Sequence, residues 1–330
     1  MRNLWNNTGR LSPQIVALLL ALTMIGVFDA AASPSLAATT KAKTIKIAYL
    51  PITHSIPLFV LKDDVESRRD EFQDIEIELI KFGTWPELVD ALTSGHVDGA
   101  TMFIEFAMKA KEQGIDLKAA ALAHRDGATM IVAQDIGKAS DLKGKTVAIP
   151  EQFSTMNILL HLLLESAGVA YEDLDVIVLP PPEMPVALAE GRVSGYIVAD
   201  PFAAISIVNG NGKLLFTADQ IWKNSVCCGL ILHGNFIKND RAAAQKLLRG
   251  YLTAGQETDR KDERVFRLAS QYMSANPEVL KFSLLSISYS DLELREEDYN
   301  QLAGYLANYK LLEKSPAYAE FVATDLLKQE

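Results

Sequence analysis

Short apolar runs of strand character alternate along this chain with longer segments of helical period, and the alternation runs once through and then restarts. No other feature constrains the fold as tightly. Strand-helix-strand units lay their strands side by side and cover them with helices, so the expected class is α/β. The first set has strands at Thr44 to Leu50, Glu76 to Lys81, Val97 to Met102, Lys118 to Ala123 and Thr129 to Ala133. Helices are expected from Pro57 toward Arg69, over Trp85 to Ser94 and over Ala107 to Gln113, the last two closed by Gly95 and Gly114. The second set has strands at Thr146 to Pro150, Asp175 to Leu179 and Gly195 to Ala199, with helices over Ser154 to Ala167 and Met184 to Glu190. A further strand is expected at Cys228 to His233, and helices dominate from Asp240 onward.

A chain of 330 residues exceeds what one core usually holds, so two lobes are expected. The strand-like segments around Met130 and Leu230 are placed to cross between them. Periodicity alone also permits one long sheet threaded through the same elements.

The first residues bear on compartment. Arg2 and Arg10 precede the apolar run Ile15 to Phe28, which is short for a membrane span and ends in small residues, with Ser35 and Ala37 at the places a signal peptidase reads. Residues 1–37 are therefore expected to be a cleavable export signal, and an uncleaved anchor is the alternative. The formal charge is −10, and loss of the signal makes the chain more acidic. That balance disfavours nucleic acid and anionic membranes as partners.

Cys227 and Cys228 are adjacent, a spacing that strains a mutual disulfide, and they read as buried, inert strand residues. The five histidines, His54, His96, His124, His161 and His233, show no metal-ligand spacing, so neither a metal nor a cofactor is expected.

The segment Pro180 to Phe202, Pro-Pro-Pro-Glu-Met-Pro-Val-Ala-Leu-Ala-Glu-Gly-Arg-Val-Ser-Gly-Tyr-Ile-Val-Ala-Asp-Pro-Phe, resembles a hallmark of the nitrate, sulfonate, taurine and bicarbonate class of periplasmic binding proteins. Thr146 to Gly168 resembles that family's second-lobe strand and ligand-facing helix, and Trp222 to Asp240 resembles its return crossing. Lys46 to Lys62 and Gly83 to Gly114 resemble first-lobe motifs. The resemblance implies a two-lobed type II periplasmic-binding-protein fold with the ligand cleft between the lobes. Residues 38–130 and 230–330 would form lobe 1 and residues 131–229 lobe 2. It implies a monomeric substrate-binding protein, periplasmic, that closes on a small-molecule ligand like a hinge and delivers it to the membrane permease subunits of an ABC importer. No enzymatic activity is expected.

Candidate ligand contacts follow from strand ends, where open α/β sheets collect ligands. Thr53, His54 and Ser55 follow the first strand, and Thr53 or Ser55 could equally cap the next helix. Met102 and Phe103 end another strand ahead of Glu105, with ordinary core packing as the competing role. Trp85 sits near a helix start, placed either to cover a ligand or to pack beneath the helix. Ser154 and Thr155 open a helix whose free amides and positive dipole end suit a carboxylate, sulfonate or nitrate, and Ser154 also reads as a cap. Asp200 falls where the resemblance puts an acidic residue at the cleft, one methylene shorter than the usual glutamate.

A small oxyanion or organosulfonate is the leading ligand class. Asp200 and Glu105 leave open a zwitterion, amine or heterocycle such as a thiamine precursor. The rival of another class is an enzyme of cofactor biosynthesis on the same fold. Against it, the chain lacks a Gly-x-Ser-x-Gly elbow, a Walker loop and a zinc helix.

Overall fold

A computed structural model describes residues 42–327, so the expected signal over residues 1–37 lies outside the described residues. The chain begins with β1 (Lys43–Tyr49), α1 (Ile56–Ser67), β2 (Ile75–Lys81), α2 (Trp85–Thr93), β3 (Gly99–Phe103), α3 (Ile104–Glu112) and β4 (Leu117–Leu122). A two-residue strand β5 (Arg125–Asp126) leads into β6 (Ala128–Val132), then β7 (Thr146–Ile149), α4 (Thr155–Ser166) and β8 (Asp175–Val178). Next come α5 (Met184–Ala189), β9 (Gly195–Ala199), α6 (Phe202–Val208), β10 (Lys213–Thr217) and β11 (Cys228–His233). Helices α7 (Arg241–Thr258), α8 (Glu263–Met273) and α9 (Glu296–Asn308) follow, with a short β12 (Ile287–Ser288) between the last two.

These strands form two separate five-stranded sheets, in the orders β2-β1-β3-β11-β4 and β10-β6-β9-β7-β8. The α/β expectation holds, and the single long sheet is excluded. In the first sheet β1, β2 and β3 run parallel, while β11 is inserted antiparallel between β3 and β4. In the second, β7 lies parallel to β8 and β9, and β6 runs antiparallel to β9 and β10. Strands β3, β6 and β9 are buried at all five positions, as central strands covered on both faces must be. Edge strand β2 instead begins with buried and exposed residues alternating, the pattern of a strand with one wet face.

Met130 lies inside β6 of the second sheet and Leu230 inside β11 of the first. The chain therefore changes sheets at Asp126–Ala128 and returns at Val226–Cys228. Those two connections run side by side, tied by hydrogen bonds: the Asp126 amide donates to the Ser225 carbonyl at 3.0 Å, and the Ser225 amide donates to Asp126 Oδ1 at 2.9 Å. The C-terminal segment braces them, because β12 pairs with β5 and the buried Arg125 guanidinium donates to Asp298, to the carbonyls of Asp291 and Glu293, and to that of Asn224. Helix α8 is pinned to α1 by Arg264, which reaches Asp63, Asp64 and Glu257.

Two elements have no clear signal in the sequence. Edge strand β10 follows Gly210-Asn-Gly212 and reads as loop, and α6 begins directly after Pro201, where the family-like segment ends. Among the described residues, no helix is long and apolar enough to cross a membrane.

Candidate functional site

The carboxyl ends of β1, β3 and β4 share one edge of the first sheet, and antiparallel β11 brings its first residue to the same edge, Cys228 opposite Phe103. The loops on that edge meet the start of α4 and the end of β9 from the second sheet, and the seam between them is built of polar side chains with little access to water.

Thr53, His54 and Ser55 form a single 3-10 turn after β1, all buried. The Thr53 amide and hydroxyl both donate to the Asp200 carbonyl, at 2.8 and 3.1 Å, joining the two sheets. Tyr289, from the C-terminal segment, donates its hydroxyl to the Thr53 carbonyl at 2.9 Å. Ser55 makes no cap for α1; its hydroxyl donates to the Leu50 carbonyl and lies 2.9 Å from that of Thr101. The capping role is thereby removed for Ser55.

A second link across the seam joins Glu105, at the start of α3, to Thr155, at the start of α4. The hydroxyl of Thr155 lies 2.6 Å from Glu105 Oε1 and 2.9 Å from the Val226 carbonyl. It carries one hydrogen. Thr155 shares that hydrogen between Glu105 Oε1 and the Val226 carbonyl, so it only partly compensates a buried carboxylate. Burial prevails, raising the Glu105 pKa from 4.5 to about 8 against the opposing hydrogen bonds from Thr155 and the local backbone. Asp200 is likewise pushed by burial to about 7, and its Oδ1 accepts the Ala204 amide at the start of α6.

Ser154 is the N-cap of α4. Its hydroxyl donates to the Glu151 carbonyl at 2.6 Å and accepts the Asn157 amide at 3.3 Å. Thr155, one residue on, is the position that faces the first sheet. Trp85 packs against Phe103, ring centroids 4.3 Å apart, and near Phe106, while Met102 is wholly buried in β3. Trp85 and Phe103 form a hydrophobic wall beside the polar seam, and Met102, its neighbour in the strand, turns to the other face of the sheet. Outside it, a groove of about 430 Å³ opens between Pro51, Ile52, Lys81 and Gly83 on one side and Pro181, Pro182 and Phe202 on the other.

One expectation is corrected. The histidines and cysteines do not stand apart: His54, His124, Cys227 and Cys228 converge, with one donor atom from each lying within 4.8 Å of the others. Their spacing along the chain hides this, because strand order in the sheet, not sequence proximity, puts the four at one edge. Desolvation lowers the proton affinity of both imidazoles, His54 well below the usual range and His124 to about 3. The same burial raises both thiols. His124 and Tyr289 are site residues that the sequence does not single out; two residues of loop beyond an apolar strand is the one available signal for His124.

The sequence model of the NMT1-like family matches residues 38–270. The ligand-binding component of an ABC-type import system from Staphylococcus aureus, solved with zinc bound, is 31% identical and superposes with a TM-score of 0.81, covering 86% of this chain and 98% of that one. The periplasmic nitrate-binding protein NrtA from Synechocystis shares the fold, with a TM-score of 0.75 at 16% identity over 87% of this chain and 84% of that one. Among curated sequences, the nitrate/nitrite binding protein NrtA of Nostoc sp. is 24% identical over 259 residues, 68% of this chain and 56% of the relative. The chain spans about half the length, or less, of the curated relatives it matches first.

Proposed function

The chain belongs to the NMT1-like family, and from that premise we propose that it is the extracytoplasmic solute-binding component of an ABC importer. It captures a small oxyanion or organosulfonate between two lobes, one built on each sheet, and presents the closed form to permease and ATPase subunits as a monomer. It binds and releases its solute without chemical change.

The observation that carries this reading is the pair of hydrogen-bonded links across the seam, Thr53 to Asp200 and Glu105 to Thr155. Both join loops of one sheet to elements of the other. Each lobe enters and leaves through connections that lie side by side at Asp126 and Ser225, a hinge of two strands. A solute touching both faces favours the closed form by its differential affinity for it, which is the signal a permease can read.

The start of α4 gives the seam its preference for an oxyanion, since its first amides lack partners within the helix and carry the positive end of its dipole. The hydroxyls of Thr53 and Thr155 belong to the links across the seam, and a Glu105 kept neutral by burial adds no repelling charge there. The relatives named for nitrate, aliphatic sulfonates and taurine bind ligands of this class.

A thermal-shift screen of the mature protein with nitrate, bicarbonate, taurine and alkanesulfonates tests the reading. A solute at 100 times its Kd stabilises the native state by about 2.7 kcal/mol, and the midpoint rises accordingly. No shift with any oxyanion or sulfonate overturns the ligand class.

A further inference from the structure

Four side chains with the donor chemistry of a closed metal site meet at the base of the seam. His54 comes from the turn after β1, His124 from the loop after β4, and Cys227 and Cys228 from the head of β11. All four are essentially inaccessible to water. The two sulfurs lie 3.8 Å apart, and His54 Nδ1 is 3.3 Å from Cys228 Sγ and 3.9 Å from Cys227 Sγ. The His54 and His124 rings face one another with centroids 3.5 Å apart.

The three separations that involve a sulfur fit the edges of a tetrahedron. With metal–sulfur bonds of about 2.3 Å and metal–nitrogen bonds of about 2.05 Å, sulfur–sulfur edges are about 3.8 Å and sulfur–nitrogen edges about 3.6 Å. The sulfur–sulfur edge and the two edges from His54 fall within about 0.3 Å of these values, and the facing His124 ring completes the set by swinging outward from His54.

The donors are otherwise unemployed. Both nitrogens of His124 and Nε2 of His54 are buried without a hydrogen-bond partner. A buried polar group left so is costly, and three in one place call for a partner. Within hydrogen-bonding range the sulfurs meet each other, His54 and the Met156 thioether, and Cys227 also meets the Thr155 hydroxyl. Two thiols and two imidazoles are soft to borderline donors, suited to a d10 cation and unsuited to calcium or magnesium, which take oxygen. Two thiolates balance a divalent ion, so the filled site carries no net charge into the interior.

We propose that His54, His124, Cys227 and Cys228 form a buried tetrahedral site for a resident thiophilic d10 cation of the zinc class. The site uses all four positions for protein ligands, which makes the ion structural and leaves no open place for solute. It assigns His54 to the ion in place of the solute contact expected from its loop. His124 and Cys227 each lie within three residues of a changeover between the sheets, so the ion fastens both hinge strands to the turn that carries Thr53. Binding requires both thiols to lose their protons, two per ion bound, and the affinity rises with pH.

The test uses the mature protein purified under reducing conditions, stripped by a chelator and titrated with zinc ion alone against a chromophoric competitor. One ion per chain is expected. Cobalt substitution should give thiolate-to-metal charge-transfer absorption together with intense tetrahedral ligand-field bands. Cys227→Ser and Cys228→Ser, which keep size, should each weaken zinc by more than the 10- to 100-fold that loss of an outer-shell partner costs, while His96→Ala on the exposed surface leaves it unchanged. Substoichiometric zinc, cobalt spectra without thiolate bands, or serine variants that bind as tightly as the parent each overturn the site. Solute binding measured on the same samples reports separately on the importer reading.

Discussion

Glu105 and Thr155 meet at 2.6 Å across the seam between the two sheets, where burial favours the neutral form of the glutamate. A group whose folded pKa lies above its unfolded value stabilises fully below the unfolded value and loses that contribution as pH rises through the folded one. With values of 4.5 and about 8, the Glu105 contribution is whole below about pH 4.5 and gone above about pH 8. Denaturant unfolding at pH 5 and pH 9 should show the wild type losing more stability between them than Glu105→Gln, which holds the neutral shape throughout. Glu105→Ala takes this partner from the Thr155 hydroxyl and should cost about 1–3 kcal/mol at pH 5. Equal pH dependence in wild type and Glu105→Gln contradicts a neutral Glu105.

Thr53→Val removes one of the two donors to the Asp200 carbonyl while preserving shape. Loss of such a hydrogen bond is worth about 1 kcal/mol. It falls on the closed form, so solute affinity by calorimetry should drop about five-fold. Stability of the solute-free protein should change much less if the seam opens in solution.

Gly127 sits in the first changeover at φ +79°, and a Cβ there would lie 2.7 Å from Ile287 Cδ1. Gly127→Ala combines backbone strain with a clash and should destabilise by about 1–3 kcal/mol in urea unfolding. Gly229→Ala meets a different obstacle, the Ala121 carbonyl oxygen at 2.9 Å within the sheet. Its cost should be similar, and because it displaces the strand beginning at Cys228, zinc affinity should fall with it.

Arg125 is a buried cation whose donors serve one carboxylate and three carbonyls. Arg125→Met leaves those acceptors without a donor and should cost about 3 kcal/mol, read as a lowered urea midpoint. Asp298→Asn, at the partner carboxylate 2.8 Å away, should cost less than half as much.

Local pattern carries most of the element assignment. Gly195–Ala199 and Cys228–His233 lie where apolar runs bounded by turns put them, and Gly95 and Gly114 close their helices in the left-handed region. Sequence also points to Thr53, Thr155 and Asp200 as residues near strand and helix ends. It does not show that Asp200 offers Thr53 its backbone carbonyl, because every residue owns one and only packing decides which is used. Nor does it show His124 beside His54, residues 70 positions apart whose strands are separated in the sheet by β3 and β11. Contacts of that kind are properties of strand order, and an alternation of apolar runs does not encode strand order.

That order has a consequence in time. Among the described residues, β4 pairs with the strand β11 and bridges only Val322 besides, and β11 is made about a hundred residues later. A chain growing or threading through a pore from its N-terminus can pair β1 with β2 and β3, but β4 waits unpartnered until Cys228–His233 emerges. Strands β6 to β10 are contiguous in sequence and need nothing from outside to make their sheet. The second sheet can therefore assemble first, and the first sheet is sealed last by a strand whose long loop closure makes it slow.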